Sequence, residues 1–149
     1  MLDQVYNNRI LELAADIPRL GRLEAPDGTA TARSKLCGST VTVDVKLSDG
    51  KVSDFAHDVK ACALGQASSS IMARHVIGAT GDELRAVRDV VRRMLKENGA
   101  PPPAGDAWDD IRVLEPVRDF KARHASTLLT FDAVVEAVEK AEGAQRSAA

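Results

Sequence analysis

Residues 40–47 read Thr-Val-Thr-Val-Asp-Val-Lys-Leu, a strict alternation of polar and apolar side chains. Successive side chains of a strand point to opposite faces of a sheet, so this pattern predicts a strand with one buried face. Asp49-Gly50 follows, and an Asp-Gly pair after such a run is a strong signal for a tight hairpin turn. The sequence therefore predicts that residues 52–59 return as an antiparallel partner strand and that residues 30–34 add a third strand.

Helical spacing dominates on both sides of these strands. The first segment carries apolar residues on one face of a predicted helix that ends before Pro18: Leu2, Tyr6, Ile10, Leu13 and Ile17. Further helices are predicted over residues 63–76, after a capping box at residues 80–83, and over residues 121–142, with a frayed tail at residues 143–149. Because strands and helices are segregated along the chain, the expected fold is α+β, a three-stranded antiparallel sheet with helices packed on one face.

Bulk composition is that of one globular domain spanning residues 1–149. The chain has 149 residues, of which 44% are hydrophobic and 28% charged, and its formal net charge of −2 gives no support for nucleic-acid binding. No apolar run approaches the roughly 20 residues that span a bilayer, and the first residues lack the pattern of a secretory signal. Two cysteines are too few for a secreted disulfide scaffold, so a cytoplasmic location with free or metal-bound thiols is expected.

The two cysteines stand at suggestive places in this predicted fold. Cys37 precedes the alternating strand, and Cys62 follows its partner strand where the helical pattern begins. The hairpin would return the chain to the edge that it left, which would bring Cys37 and Cys62 to the same edge of the sheet. A thiol at a helix N-terminus feels unpaired N–H groups that favour thiolate. From spacing alone, however, two buried structural cysteines are the more ordinary interpretation, with metal or sulfur chemistry as the alternative.

Three blocks of sequence resemble the NifU N-terminal, IscU and SufU family of iron–sulfur cluster scaffolds. The blocks are Leu36-Cys37-Gly38, then Val59-Lys60-Ala61-Cys62-Ala63 leading to Ser68-Ser69-Ser70-Ile71-Met72, and Pro116-Val117-Arg118 followed by residues 121–128. In the family's pattern an aspartate follows the first cysteine by two residues, and a third cysteine lies in the last block. Here Ser39 and Ser126 stand at those positions.

The resemblance implies a non-enzymatic scaffold for iron–sulfur cluster assembly. It implies that the chain accepts sulfur from a cysteine desulfurase, binds iron, zinc or a transient cluster such as [2Fe–2S], and passes the cluster to acceptor proteins. The implied ligand set is Cys37, Cys62, Ser39, His124 and Ser126, with His124 considered because it lies two residues before Ser126. A serine hydroxyl is a poor zinc or iron ligand, so binding is expected to be weaker than with the full ligand set, unless a homodimer contributes four thiolates.

Two other functions remain open at the level of sequence. One is a paralogue that keeps the fold and acts as an adaptor or regulator of the desulfurase without building clusters. The other is a thiol oxidoreductase that cycles Cys37 and Cys62, although no accompanying base is evident. The two remaining histidines are interpreted as structural. His57 lies five residues before Cys62 and can face either side of its strand, whereas His75 lies several helical turns beyond Cys62 and points elsewhere.

Overall fold

The computed structural model of the chain describes residues 7–35 and 38–148. Within these residues, three strands pair antiparallel in the order β1-β2-β3, and four α-helices and two 3₁₀ helices accompany them. The predicted α+β class is confirmed. The elements are β1 (Gly28–Arg33), β2 (Thr40–Ser48), β3 (Lys51–Lys60), α1 (Asn8–Ala15), α2 (Ala63–His75), α3 (Gly81–Lys96), α4 (His124–Ala148) and 3₁₀ helices at Asp109–Asp119 and Lys121–Arg123.

The hairpin between β2 and β3 forms as its sequence predicts. Asp49 and Gly50 have φ angles of 52° and 76°, the positive values that a two-residue turn matched to the strand twist requires. The apolar residues of β2 are 0–7% exposed and face the core, as the alternation predicts: Val41, Val43, Val45 and Leu47. Helix α4 packs across β1 and β2, so it covers this buried face.

Polar side chains fix the starts of the helices. The Asn7 side chain accepts a hydrogen bond from Ile10 N at the start of α1, and Thr80 Oγ1 accepts one from Glu83 N at the start of α3. Ile10 and Leu13 are buried as predicted, whereas Leu2 and Tyr6 lie outside the described residues. Within residues 7–35 and 38–148, no helix has both the length and the apolar character needed to cross a membrane.

Helix α4 is longer at its C-terminus than predicted. The sequence suggested an end near residue 142, but the helix continues to Ala148; fraying of the tail at residues 143–149 stays a prediction. The segment contains alanine, glutamine and arginine, which favour helix, and no proline. Gln145 Nε2 also donates to the Leu47 carbonyl at 2.9 Å, which holds the last turns against β2.

One polar residue of β2 is buried where the alternation predicted an exposed face. The Asp44 side chain is fully buried, because the segment that leads into β1 crosses that side of the sheet. Arg22 Nε and Nη2 donate to its carboxylate at 2.6 and 3.2 Å, Leu23 N at 3.0 Å and Thr29 Oγ1 at 2.6 Å. Burial alone would raise the pKa of Asp44, but these donors outweigh it and hold the pKa below its ordinary value.

Gly28 lets β1 approach α4 at backbone contact distance. A Cβ at this position would collide with Ala137 O and would lie 2.8 Å from Ala141 N, both backbone atoms of α4. We expect Gly28→Ala to lower the free energy of unfolding by about 1–3 kcal/mol, because the helix must move to admit the methyl group. Urea unfolding measures the change.

The matched control for this glycine lies on α4 itself. Gly143 has no atom nearer than 3.9 Å to a built Cβ, so Gly143→Ala adds a methyl group without a clash. It should stabilise the protein slightly, by about 0.5–1 kcal/mol, since alanine favours a helix interior over glycine. Equal behaviour of the two variants would contradict the close packing inferred at Gly28.

Candidate functional site

Cys62 occupies the junction between the last strand and the second helix. β3 ends at Lys60, and Cys62 is the N-cap residue of α2, with extended backbone angles of −69° and 174°. Its carbonyl accepts from Gln66 N at 2.9 Å, while its side chain makes no capping bond. The side chain is half-buried, and no disulfide engages it. The thiol therefore lies at the positive end of a 13-residue helix, an environment that favours an anionic group.

Ser126 lies in the first turn of α4, and its side chain contacts Cys62. Cys62 Sγ donates to Ser126 Oγ at 3.6 Å, and Ser126 Oγ in turn donates to the Arg123 carbonyl at 3.2 Å. Ser126 is 2% exposed, so the hydroxyl forms the inner wall beside the thiol. The structure thus brings together two residues that are 64 positions apart in sequence, both of which belong to the ligand set that the family resemblance implies.

The close approach of the two helix starts depends on Gly65. A Cβ at Gly65 would lie 3.2 Å from Ser126 O and 2.7 Å from the Ala61 Cβ. A side chain at this position would therefore push the start of α4 away from the first turn of α2. Sequence reasoning missed Gly65. The available signal was a glycine in the first turn of a helix, where alanine is the better helix former.

The turn before β2 brings Ser39 to the same edge of the sheet. Arg33 pairs with Thr40 and Thr40 pairs with Lys60, so the turn and the Cys62 junction leave the sheet side by side. Ser34 N donates to Ser39 O at 2.8 Å, and Ser39 is buried. Cys37 lies outside the described residues, so its convergence with Cys62 stays a prediction.

His124 is turned into the protein at the start of α4. Its Nε2 donates to the Val117 and Arg118 carbonyls, each at 3.1 Å, and the side chain is 5% exposed. These bonds hold the residues before α4 against the helix start. Ligation of a metal through Nε2 would break both bonds, and the role of His124 as a ligand stays a prediction.

The other two histidines have partners away from Cys62. His57 is fully buried in β3, and its Nε2 donates to the Pro18 carbonyl at 2.9 Å. Burial lowers the pKa of His57 below its ordinary value, although the bond to Pro18 acts in the opposite direction, so the ring is neutral near pH 7. His75 Nε2 bonds to Asp110 Oδ2 at 3.1 Å, beside Trp108. Across residues 7–35 and 38–148, no group of three or more His, Cys, Asp or Glu side chains is placed to hold a metal ion.

Comparison with known proteins connects this geometry to a family. The family described as NifU-like N terminal domain matches residues 5–127, which include both cysteines, Ser39 and Ser126. The chain belongs to this NifU-like family. The predicted resemblance is therefore confirmed.

Curated relatives of the NifU-like chain carry the name of a scaffold protein. One from Streptococcus pyogenes serotype M1, named iron-sulfur cluster assembly scaffold protein IscU, is 30% identical over 109 residues, which cover 73% of this chain and 67% of the relative. Another with the same name, from Thermotoga maritima, is 23% identical over 141 residues, covering 91% of this chain and 94% of the relative.

Solved structures match the NifU-like fold over nearly the whole chain. The N-terminal NifU-like protein of Brucella abortus is 63% identical, with a TM-score of 0.92, over 95% of this chain and 97% of that one. A structure from Fervidobacterium islandicum AW-1, described as a scaffold protein for the SUF system, is 20% identical with a TM-score of 0.82, over 91% and 98% of the two chains, and supports the fold alone.

Proposed function

We propose that this NifU-like chain is a non-enzymatic scaffold on which iron–sulfur clusters are assembled. The observation that carries the proposal is the half-buried Cys62 thiol, which stands at the N-terminus of α2 within hydrogen-bond distance of Ser126. The names of the Streptococcus and Thermotoga relatives support the same function. Sulfur acceptance, metal binding and the partners are parts of this proposal.

Cys62 accepts sulfur from a cysteine desulfurase in the proposed reaction. The Cys62 thiolate attacks the outer sulfur of the persulfide on the desulfurase cysteine. A new S–S bond forms on Cys62 while the persulfide S–S bond breaks, and the desulfurase cysteine leaves as a thiolate. Cys62 lies at the N-terminus of α2, and Ser126 cannot compete because its hydroxyl is a far weaker nucleophile at neutral pH.

The cargo is iron, zinc or a nascent [2Fe–2S] cluster, held by Cys62 and Cys37. Ser39, Ser126 and His124 remain the predicted neighbours of the metal. The described side chains do not complete a four-ligand site, because Ser126 offers a neutral hydroxyl and the His124 Nε2 is engaged by two carbonyls. A second copy of the chain or the acceptor protein supplies the missing ligands under this proposal.

A second candidate function is an adaptor or regulator of the desulfurase that builds no cluster. It is favoured by one observation: serines stand at positions 39 and 126, where the family's pattern has an aspartate and a cysteine. In that case the fold and the surface around Cys62 would serve the desulfurase contact, and the thiol would carry no sulfur.

Incubation with a cysteine desulfurase and L-cysteine under anaerobic conditions tests the sulfur step. We expect mass spectrometry to find one added sulfur atom on Cys62, and we expect visible absorbance to appear once ferrous iron is also supplied. Cys62→Ala should reduce both signals by at least about tenfold, because the acceptor and ligand is lost.

The control is Ser126→Ala, which removes the neighbouring hydroxyl and keeps the thiol. It should retain sulfur on Cys62. Sulfur on Cys37 alone, or none on either cysteine, would contradict the assignment. A change in the turnover of the desulfurase with no sulfur and no absorbance would favour the adaptor.

A further inference from the structure

A basic cavity opens between the end of α3 and the start of α4, next to the candidate site. It has a volume of about 480 Å³ and is lined by Leu95, Lys96, Asn98, Arg118, Lys121 and His124. No carboxylate is among these lining residues. We infer that this cavity binds a small dianionic oxyanion, such as a phosphate group, and this inference holds whether or not the chain assembles clusters.

The charges at the cavity favour a dianion. Lys96 and Lys121 are exposed, and neither forms an ion pair with another described residue. Arg118 is partly neutralised, because its Nη2 bonds to Glu115 Oε2 at 3.1 Å. Asp132 interacts electrostatically with Lys96, but its carboxylate is already paired with Arg92 at 3.3 Å. About two positive charges are therefore uncompensated, which matches a doubly charged anion better than a singly charged one.

Hydrogen-bond donors are also available at the cavity. The Lys96 and Lys121 ammonium groups are exposed donors. The Arg118 guanidinium also lines the cavity, but its Nη2 is already held by the Gly99 carbonyl at 2.9 Å, so Arg118 contributes mainly its charge. The Asn98 amide offers further donors, and the N-terminus of α4 at His124 adds a positive potential.

Residues that line the cavity also fix the start of α4, where Ser126 lies beside Cys62. His124 anchors the Val117 and Arg118 carbonyls, and Ser126 donates to Arg123 O only two residues further along. An oxyanion bound to Arg118 and Lys121 would therefore sit against the segment that positions Ser126 beside Cys62. Binding at the cavity should thus be visible both at its own residues and at the start of α4.

A titration with inorganic phosphate, followed by amide NMR at constant ionic strength, tests the inference. We expect saturable binding with the largest shifts at residues 96–98 and 118–124. Sulfate, also a dianion, should bind at the same place, and acetate should bind at least about tenfold more weakly, since it carries one charge.

Two double variants with the same change in net charge complete the test. Lys96→Gln with Lys121→Gln should weaken phosphate binding by about tenfold or more, because both free cations of the cavity are lost. Lys46→Gln with Lys51→Gln, near the β2–β3 turn, should change it by less than about twofold. Equal weakening in both variants, absence of saturable binding, or equal affinity for acetate would overturn the inference. The lysines at 96 and 121 are exposed, so the amide spectrum should show an intact fold.

Discussion

Ser39→Asp combined with Ser126→Cys is expected to raise the affinity of the protein for zinc by about 10³–10⁴-fold. Structural zinc sites with four ligands bind with about 10–16 kcal/mol, so each ligand contributes roughly 3 kcal/mol, or about 100-fold in affinity. The substitution at Ser126 places a sulfur atom where an oxygen now lies 3.6 Å from Cys62 Sγ. Competition with a chelator of known zinc affinity, at fixed pH and without oxygen, measures the change.

The control for this variant adds a thiol away from the site. Ser53 is exposed in β3, and its hydroxyl contacts only the Lys46 carbonyl, so Ser53→Cys should leave tight zinc binding at the level of the parent. The two single variants should each give an intermediate affinity. If the parent already binds one zinc tightly and the double variant does not differ, other ligands complete the site. The serines at 39 and 126 would then not weaken zinc binding.

Asp44→Asn is expected to lower the free energy of unfolding by about 3 kcal/mol. The carboxylate is fully buried and accepts from Arg22, Leu23 N and Thr29 Oγ1, and an amide would turn a donor toward at least one of these donors. Hydrogen bonds to charged groups contribute about 1.5–3 kcal/mol each, but Arg22 is 55% exposed, so its share is smaller. Urea unfolding near pH 7 gives the value.

The pH dependence of Asp44 has a defined sign. Its pKa in the folded protein is below its ordinary value, so the stabilisation is present above pH of about 4 and is lost as the pH falls through the folded pKa. Asp44→Asn should make the free energy of unfolding depend less on pH in this acidic range. Asp49→Asn is the matched control, because Asp49 is exposed in the β2–β3 turn, where asparagine tolerates the same positive φ, and it should change stability by less than about 0.5 kcal/mol. A similar loss in both variants would mean that Asp44 acts only through net charge.

Local patterns were enough to predict much of this fold. The alternation of β2, the Asp49-Gly50 turn and the Thr80 cap each depend on a few neighbouring residues, and all three are present in the structure. The burial of Asp44 could not be predicted in this way. Its polar position in the alternation indicates an exposed face, and only the path of residues 22–29 across the sheet buries it.

For the candidate site too, some features could be predicted from the sequence and others required the tertiary structure. The contact between Cys62 and Ser126 was suggested only by the resemblance of their sequence blocks to the family pattern. The inward orientation of His124 did not, because it depends on carbonyls of the 3₁₀ helix that precedes it, whose geometry no short motif specifies. The cavity near Lys96 is formed by two segments that are distant in sequence, residues 95–98 and 118–124, so only the tertiary structure reveals it.

Gly65 has a consequence for how the chemistry of this site can change over evolution. The spacing between Cys62 and Ser126 is set where the first turn of α2 meets the backbone of Ser126, and the absence of a side chain at Gly65 permits that contact. The atoms at the tips of residues 62 and 126 contribute little to it. The side chains at positions 62 and 126 can therefore be exchanged by single substitutions while the backbone contact at Gly65 persists, so the fold can be kept while the chemistry at this site changes.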